Sequence, residues 1–390
     1  GQLFKMKKIN NWINGREVKP SSNEWLRKIN PANEKLDSLF PSSNSVDVNK
    51  CIKVSQKAFI DWSKLSSVKR GEYLFNFVQL LKLNKVDLAK CVARETGKSY
   101  ADAYGEVGAA IAQGEFFAGE GRRLYSNSLN SAIDNKYCHT IREPHGVVGL
   151  IVPANTPIAN IAWKIFPALI CGNTVILKAS EDAPEIAILL AKISKKSGMP
   201  NGIFNVLNGL GSIVGESIIQ DNRVPLISFT GSTDVGKHIA SKVGERMGRV
   251  SLELGGKNPF IVCKDADIDL AVQWAALSAF SNAGQRCAAA SRIIVDQLVY
   301  KEFVTKLIRK TNSLKLGISK GCDLGPVINQ KQYLNIIQAI DISKKEGGKV
   351  SCGGNKQTKY PKGFYIKPTL IENLDQNSFD MPNFRLFVFL

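Results

Sequence analysis

Apolar residues recur at intervals of three and four through much of the first third of the chain, and this spacing predicts helices over residues 46–62, 68–83, 86–95 and 101–122. Ahead of them, Trp12-Ile13-Asn14-Gly15-Arg16-Glu17 reads as a short strand with a turn at Asn-Gly, and residues 31–41 are rich in turn formers, so an extended N-terminal segment is expected. Residues 126–140 are polar and poor in helix signals. Beyond Gly146 the pattern changes. Short apolar runs at 147–152, 174–177, 204–207, 226–229 and 260–262 are separated by helical stretches at 158–168, 184–197 and 213–220. Strands alternating with helices predict an α/β protein, with a parallel sheet wrapped by helices in the manner of a nucleotide-binding domain. A second α/β region is expected from about Asp267 onward.

Composition narrows this picture by exclusion. The 390 residues, 44% of them apolar, suffice for two or three domains with real cores. The apolar runs are too short and too often broken by Pro, Gly or charge to span a bilayer. Gly1-Gln2-Leu3-Phe4-Lys5 lacks the long apolar stretch of a secretory signal, and Met6 could be the natural start. Eight cysteines are scattered without a C-x-x-C pair, the usage of a reduced, cytoplasmic protein. With three histidines (His139, His145, His238), a His-based nucleophile system or metal site has little to draw on, so no metal is expected. The net charge of +18 comes from lysines spread along the whole chain, with no basic run interleaved with aromatics. It describes a solvated surface, and neither a nucleic-acid nor a membrane partner is expected.

Four segments carry chemistry, each ambiguous alone. Phe229-Thr230-Gly231-Ser232-Thr233-Asp234-Val235-Gly236-Lys237 follows an apolar strand and precedes a helix; its glycines and the free N–H groups of the new helix suit a phosphate, although it is not a G-x-G-x-x-G fingerprint. At the end of the 174–177 strand, Lys178 and Glu181 can place a cation and a carboxylate beside a ribose, or simply be surface residues. In Leu252-Glu253-Leu254-Gly255-Gly256-Lys257-Asn258-Pro259, a Glu within an apolar run is expected to be partly desolvated and so suited to general-base work, unless it is paired with a Lys. Asn282-Ala283-Gly284-Gln285-Arg286-Cys287-Ala288-Ala289-Ala290 presents a cysteine among small residues, either a nucleophile or a packing thiol.

In their order and spacing, with Glu253 and Cys287 standing 34 positions apart (287 minus 253), these segments resemble the aldehyde dehydrogenase superfamily. The resemblance runs from about Trp12 to about Leu374. It includes Glu143-Pro144-His145-Gly146-Val147-Val148-Gly149, the Asn-bearing loop Pro153-Ala154-Asn155-Thr156-Pro157, Pro167 through Thr174, Leu324-Gly325-Pro326-Val327-Ile328 and Gly363-Phe364-Tyr365-Ile366-Lys367-Pro368-Thr369. It implies a Rossmann-like nucleotide-binding domain at 1–121 and 145–255, an oligomerisation hairpin at 122–144 and an α/β catalytic domain at 256–390.

The roles implied follow residue by residue. Cys287 attacks the aldehyde carbon as thiolate, Asn155 and the Cys287 backbone N–H hold the oxyanion, and Glu253 activates the water that hydrolyses the thioester. Lys178 and Glu181 bind the adenosine ribose, while Gly231, Ser232 and Gly236 lie against the pyrophosphate, with NAD favoured and NADP the alternative. The partners implied are a small-molecule aldehyde and further copies of the chain, as a homodimer or homotetramer. Ala154 and Thr156 stand where many relatives carry aromatic residues, which obscures the substrate, and Arg286 either steers an anionic aldehyde or faces solvent. After Thr369 the family continues to an E-x-F-G-P motif and roughly a hundred further residues, so the catalytic domain is expected to be incomplete at its C-terminus. The competing readings are an inactive fragment or structural protein that keeps the fold and, within the family, a CoA-acylating semialdehyde dehydrogenase.

Overall fold

The structure is a computed structural model that describes residues 6–355, 357, 359–374 and, as backbone, 386–389. The residues read above for a signal, 1–5, and the tail residues 381–385 and 390 lie outside the described residues. The chain divides into two units, residues 1–28, 38–91 and 104–254 forming the first and residues 29–37, 92–103 and 255–390 the second.

Asn14 and Gly15 both take positive φ, 56° and 73°. That pair of left-handed residues makes the tight two-residue turn that Asn-Gly favours, joining β1 (Asn11–Ile13) to β2 (Arg16–Val18). β3 (Trp25–Ile29) and β4 (Leu36–Pro41) form a two-stranded sheet. The helices α1 (Ser45–Trp62), α2 (Ser67–Leu83), α3 (Lys85–Thr96) and α4 (Tyr100–Glu120) lie where the apolar spacing predicts them, to within two residues at each end. α1 begins with a reciprocal cap, Asn44 accepting from Val46 N–H at 3.0 Å while Asp47 accepts from Asn44 N–H at 3.0 Å. The polar stretch that follows is an exposed hairpin, β5 (Ser128–Asn130) and β6 (Tyr137–His139).

The alternating region supplies β7 (Val147–Ile151), α5 (Pro157–Ile170), β8 (Thr174–Lys178), α6 (Pro184–Lys196), β9 (Phe204–Leu207), α7 (Glu216–Ile219) after a π-helical turn at Gly211–Gly215, β10 (Leu226–Gly231), α8 (Thr233–Glu245) and β11 (Arg249–Leu254). Among the described residues the sheet has seven strands in the order β11-β10-β7-β8-β9-β1-β2, the first five parallel. The N-terminal segment is therefore not merely extended. Trp12 pairs antiparallel with Val206, and Ile13 is 1% exposed. Docking the hairpin there satisfies the backbone edge that β9 would otherwise present. The core beneath the sheet joins Val147, Ile176, Leu207 and Ile227 to Val48 and Ile52 of α1 and Ile239 and Val243 of α8. Each such side chain, fully buried, contributes roughly 1.5–3 kcal/mol.

The second unit contains β12 (Asn258–Val262), α9 (Ile268–Phe280), β13 (Ala290–Val295), α10 (Tyr300–Ser313), α11 (Gln330–Lys345), β14 (Lys349–Cys352), β15 (Thr369–Glu372) and β16 (Leu386–Phe389). Its described sheet runs β12-β13-β16-β15-β14, with β12 and β13 parallel and the other pairs antiparallel. This corrects the expected start near Asp267. The run at 260–262 pairs with β13 through the α9 crossover, so the second unit takes over at Gly255. Phe280, Ile293, Phe303, Leu307 and Leu370 form its core. Among the described residues no helix is long and apolar enough to cross a membrane.

Candidate active site

Parallel strands present all their C-terminal ends at one edge of the sheet, and ligands collect where the strand order reverses. In the first unit the chain moves from β7 outward through β8 and β9, then returns to place β10 on the other side of β7. The loops after β7 and β10 therefore flank the reversal; the first carries Asn155, and the second begins at Ser232, directly after Gly231 at the end of β10. Asn155 is half-buried one residue before Thr156, the first residue of the α5 cap. The Thr156 side chain makes no capping bond; instead the Glu106 carboxylate, buried on α4, accepts from the Ile158 N–H at 3.0 Å. Pro157 occupies the first turn, where its missing N–H costs nothing. One turn into the helix, Asn160 Nδ2 donates to Asn155 Oδ1 at 2.9 Å and to Thr156 Oγ1 at 3.2 Å.

At the end of β8 the structure brings Lys178 and Glu181 together. Lys178 is 2% exposed, and its Nζ lies 3.1 Å from Glu181 Oε2. Burial lowers the pKa of the Lys178 ammonium, with Glu181 opposing the shift. Burial acts to raise the Glu181 carboxyl as well, but Lys178 and the Gly211 N–H, which donates at 2.7 Å, outweigh it and hold the group below the usual carboxylate range. Ser232 caps α8 by accepting from Val235 N–H at 3.4 Å. Gly231 closes β10 beside the Phe229 ring, which an added Cβ would meet at 2.5 Å, and Gly236 sits beneath Leu254, also 2.5 Å from where a Cβ would be. At Gly236 the missing side chain thus lets α8 settle on β11. This donor set fits a dinucleotide: a carboxylate and an ammonium suited to ribose hydroxyls, and the N-terminus of α8 suited to phosphate.

Glu253 lies on β11 opposite Thr230 of β10. The expected desolvation is not found. β11 is the edge strand of the sheet, and the Glu253 side chain is exposed.

In the second unit the thiol of Cys287 is exposed, whereas Cys51, Cys91 and Cys352 are buried packing residues. Burial pushes the Cys352 thiol up to about 11. The turn before Cys287 is unusual, because Asn282, Ala283 and Gly284 all have left-handed backbone, with φ of 54°, 52° and 66°. For residues with a Cβ that conformation costs roughly 1–2 kcal/mol each, and such outliers persist only where the surroundings fix them. Here the two amides tie the turn, Asn282 Nδ2 donating to Gln285 O at 3.3 Å and Gln285 Nε2 to Asn282 O at 3.1 Å. Gln285 Oε1 also accepts from Ile328 N–H at 2.9 Å. Asn258 Nδ2 donates to the carbonyl of Cys287 and to that of Ala289, the latter at 3.1 Å. Arg286 is exposed. Among the described residues no cluster of three or more His, Cys, Asp or Glu could hold a metal ion.

A family model described as "Aldehyde dehydrogenase family" matches residues 18–381. The chain belongs to the aldehyde dehydrogenase family. It is 36% identical over 372 residues to the alpha-ketoglutaric semialdehyde dehydrogenase of Bacillus subtilis, covering 93% of this chain and 76% of that protein. To the NADP-dependent D-glyceraldehyde dehydrogenase of Picrophilus torridus it is 35% identical over 370 residues, covering 94% and 75%. Among solved structures it matches betaine aldehyde dehydrogenase from Staphylococcus aureus in complex with NAD+ at 31% identity and a TM-score of 0.93, covering 96% of this chain and 76% of that one. An NADP-dependent enzyme from E. coli matches at 34% identity and a TM-score of 0.92, covering 95% and 77%. The chain is thus an NAD(P)-dependent oxidoreductase acting on the aldehyde group, as the four motifs implied.

Two side chains of this aldehyde dehydrogenase escaped the sequence reading. Lys164 of α5 is 8% exposed and donates from Nζ to Ser228 Oγ of β10 at 2.7 Å. Burial lowers its pKa to about 8, against the pull of the Glu253 carboxylate. The signal was available, since Lys164 is the single charged residue of the apolar helix PIANIAWKIFPALI. Asn160 had no such signal, because a lone Asn in a helix reads as a surface residue until its burial is known.

Proposed function

We propose that this aldehyde dehydrogenase is of the hydrolytic type, converting an aldehyde to a carboxylic acid with NAD through a thioester on Cys287. The observation that carries the reading is the access that the two groups share. The Cys287 thiol and the Glu253 carboxylate are both exposed, one on a strained turn and one on an edge strand, as a nucleophile and a water-activating base must be.

When bound, the nicotinamide cofactor supplies the hydride acceptor. The rest is done by the chain. The Cys287 thiolate forms a carbon–sulfur bond to the aldehyde carbon, and the carbonyl oxygen becomes an oxyanion held by the Asn155 amide and the Cys287 backbone N–H. Loss of hydride from that carbon leaves an acyl thioester. Glu253 takes a proton from water, the resulting hydroxide attacks the acyl carbon, and the sulfur leaves as thiolate, releasing the acid. Lys178 and Glu181 orient the adenosine ribose, with Gly231, Ser232 and Gly236 along the pyrophosphate. A Glu181 carboxylate accepts a 2′-hydroxyl and repels a 2′-phosphate, which favours NAD, although Lys178 weakens that repulsion. Named relatives act on aldehydes as different as alpha-ketoglutaric semialdehyde and D-glyceraldehyde, so the substrate is assigned only as a small aldehyde.

The test is product stoichiometry over a panel of aliphatic, aromatic and semialdehyde substrates, with and without CoA. One carboxylic acid and one NADH per aldehyde without CoA are expected. An absolute requirement for CoA, with an acyl-CoA product, would overturn the hydrolytic assignment.

A further inference from the structure

A carboxamide is nearly symmetric in shape but opposite in charge at its two ends. An Asn that stabilises an oxyanion must present its N–H edge; turned by 180°, it presents an oxygen and repels the same charge. Something must therefore hold the Asn155 side chain in one of its two orientations. The loop backbone alone does not, since χ2 of Asn is broad and roughly two-fold.

We infer that Asn160 is a positioning residue that fixes Asn155 with its N–H edge toward the reacting carbonyl. The inference rests on the oxyanion role assigned to Asn155 above. Asn160 Nδ2 lies 2.9 Å from Asn155 Oδ1 and 3.2 Å from Thr156 Oγ1, so its amide group is engaged by two acceptors on the loop after β7. Turning Asn160 alone over, with Asn155 unchanged, would set oxygen against oxygen at Asn155. Asn160 is also rigid. It is 3% exposed, and its backbone N–H bonds Thr156 O at 2.9 Å in the first turn of α5. The Glu106 carboxylate on the Ile158 N–H anchors the same turn from the other side. With Asn155 Oδ1 committed to Asn160, the acceptor end of the Asn155 amide is turned toward α5. Accepting a bond at Oδ1 also draws electron density from the amide nitrogen and strengthens its N–H as a donor.

The experiment is single-turnover NADH formation in Asn160→Leu, Asn155→Ala and the double variant, with melting temperatures alongside. Removing an oxyanion donor outright costs on the order of a hundred- to a thousandfold, and loss of its orientation should cost part of that, about tenfold to a hundredfold. The fall is expected in the rate at saturating aldehyde, with KM moving by less than about threefold, because the interaction matters only once charge has developed. In the Asn155→Ala background the same Leu substitution should change the rate by less than about twofold, since residues that act as a unit are not additive. Asn160→Ala, which removes the donor without adding bulk, should behave alike if Leu lowers the melting temperature. Equal losses from the Asn160 substitution in both backgrounds, or a parent-like rate in Asn160→Leu while Asn155→Ala is impaired, would overturn the inference alone. A parent-like rate in Asn155→Ala would instead remove the oxyanion reading, and this inference with it.

Discussion

The sheet edge of the first unit and the cysteine turn of the second solve the same problem, holding a functional group still, by opposite means. At the sheet edge the groups are fixed by burial and charge: Lys178 is 2% exposed and ion-paired with Glu181, Lys164 is buried against Ser228, and Asn160 is buried against Asn155. At the cysteine turn the proposed nucleophile is exposed, and the backbone does the holding through a left-handed run at 282–284 tied by the Asn282 and Gln285 amides, with the Asn258 amide on the carbonyls of Cys287 and Ala289. Cofactor ligands and oxyanion donors can be built into a core because their partners come to them. A nucleophile must be reached by substrate and then by water, so packing cannot immobilise it. Strain in the turn takes the place of burial.

The comparison breaks most sharply at Cys287. Cys287→Ala should lower aldehyde oxidation by at least about a thousandfold, the scale of nucleophile losses, with the melting temperature unchanged because the residue is exposed. Steady-state NADH formation checks it, and a smaller loss would place the thioester elsewhere. Gln285→Ala tests whether the turn truly depends on its amide ties. The two side-chain bonds lost, to Asn282 O and from Ile328 N–H, should let the turn relax, lowering kcat on the order of ten- to a hundredfold, as misplacement of a reacting group does, while labelling of Cys287 by a thiol reagent continues. A parent-like kcat would mean that the left-handed run holds itself.

On the sheet-edge side, effects should be smaller because each group shares its work. Glu181→Gln removes the negative charge proposed to face the ribose and should shift the ratio of kcat/KM for NAD over NADP toward NADP by about tenfold, close to 1.4 kcal/mol. An unchanged ratio would show that Glu181 faces its own Gly211 N–H rather than cofactor. Lys164 gives a stability signature. Its folded pKa of about 8 lies below the ordinary 10.5, so below pH 8 the folded state carries the full cost of a buried charge. Between pH 8 and 10.5 the unfolded chain binds the proton more strongly, and stability from this group rises with pH. Urea midpoints of parent and Lys164→Met, measured across that window, should therefore converge or cross in the parent's favour as pH rises; parallel curves would count against a buried charge.

The legible features were those that repeat or that form a contiguous motif. The helical spacing of 46–122 and the strand alternation of 147–229 located their elements to within a few residues, since each is dictated by which face is buried. The Cys287 and Glu253 segments, read together, identified the family. What stayed hidden was set by tertiary neighbours. The pairing of Trp12 with Val206 spans nearly two hundred residues, the exposure of Glu253 depends on β11 being an edge strand, and Asn160 and Lys164 acquire meaning only from what α5 packs against. Turn strain at Ala283 was invisible for the same reason, as alanine carries no preference for left-handed backbone.

The central claim, a thioester on Cys287 hydrolysed through Glu253, is tested most directly by trapping that thioester. Glu253→Gln, mixed with NAD and an aldehyde substrate, should give a burst of NADH close to one per active site followed by slow turnover, because acylation survives while water activation fails. Mass spectrometry of the quenched protein should then find the mass of the acyl group on the peptide that contains Cys287. A burst with the acyl group on another residue, or equal loss of burst and steady-state rate with Cys287 unmodified, would contradict the account.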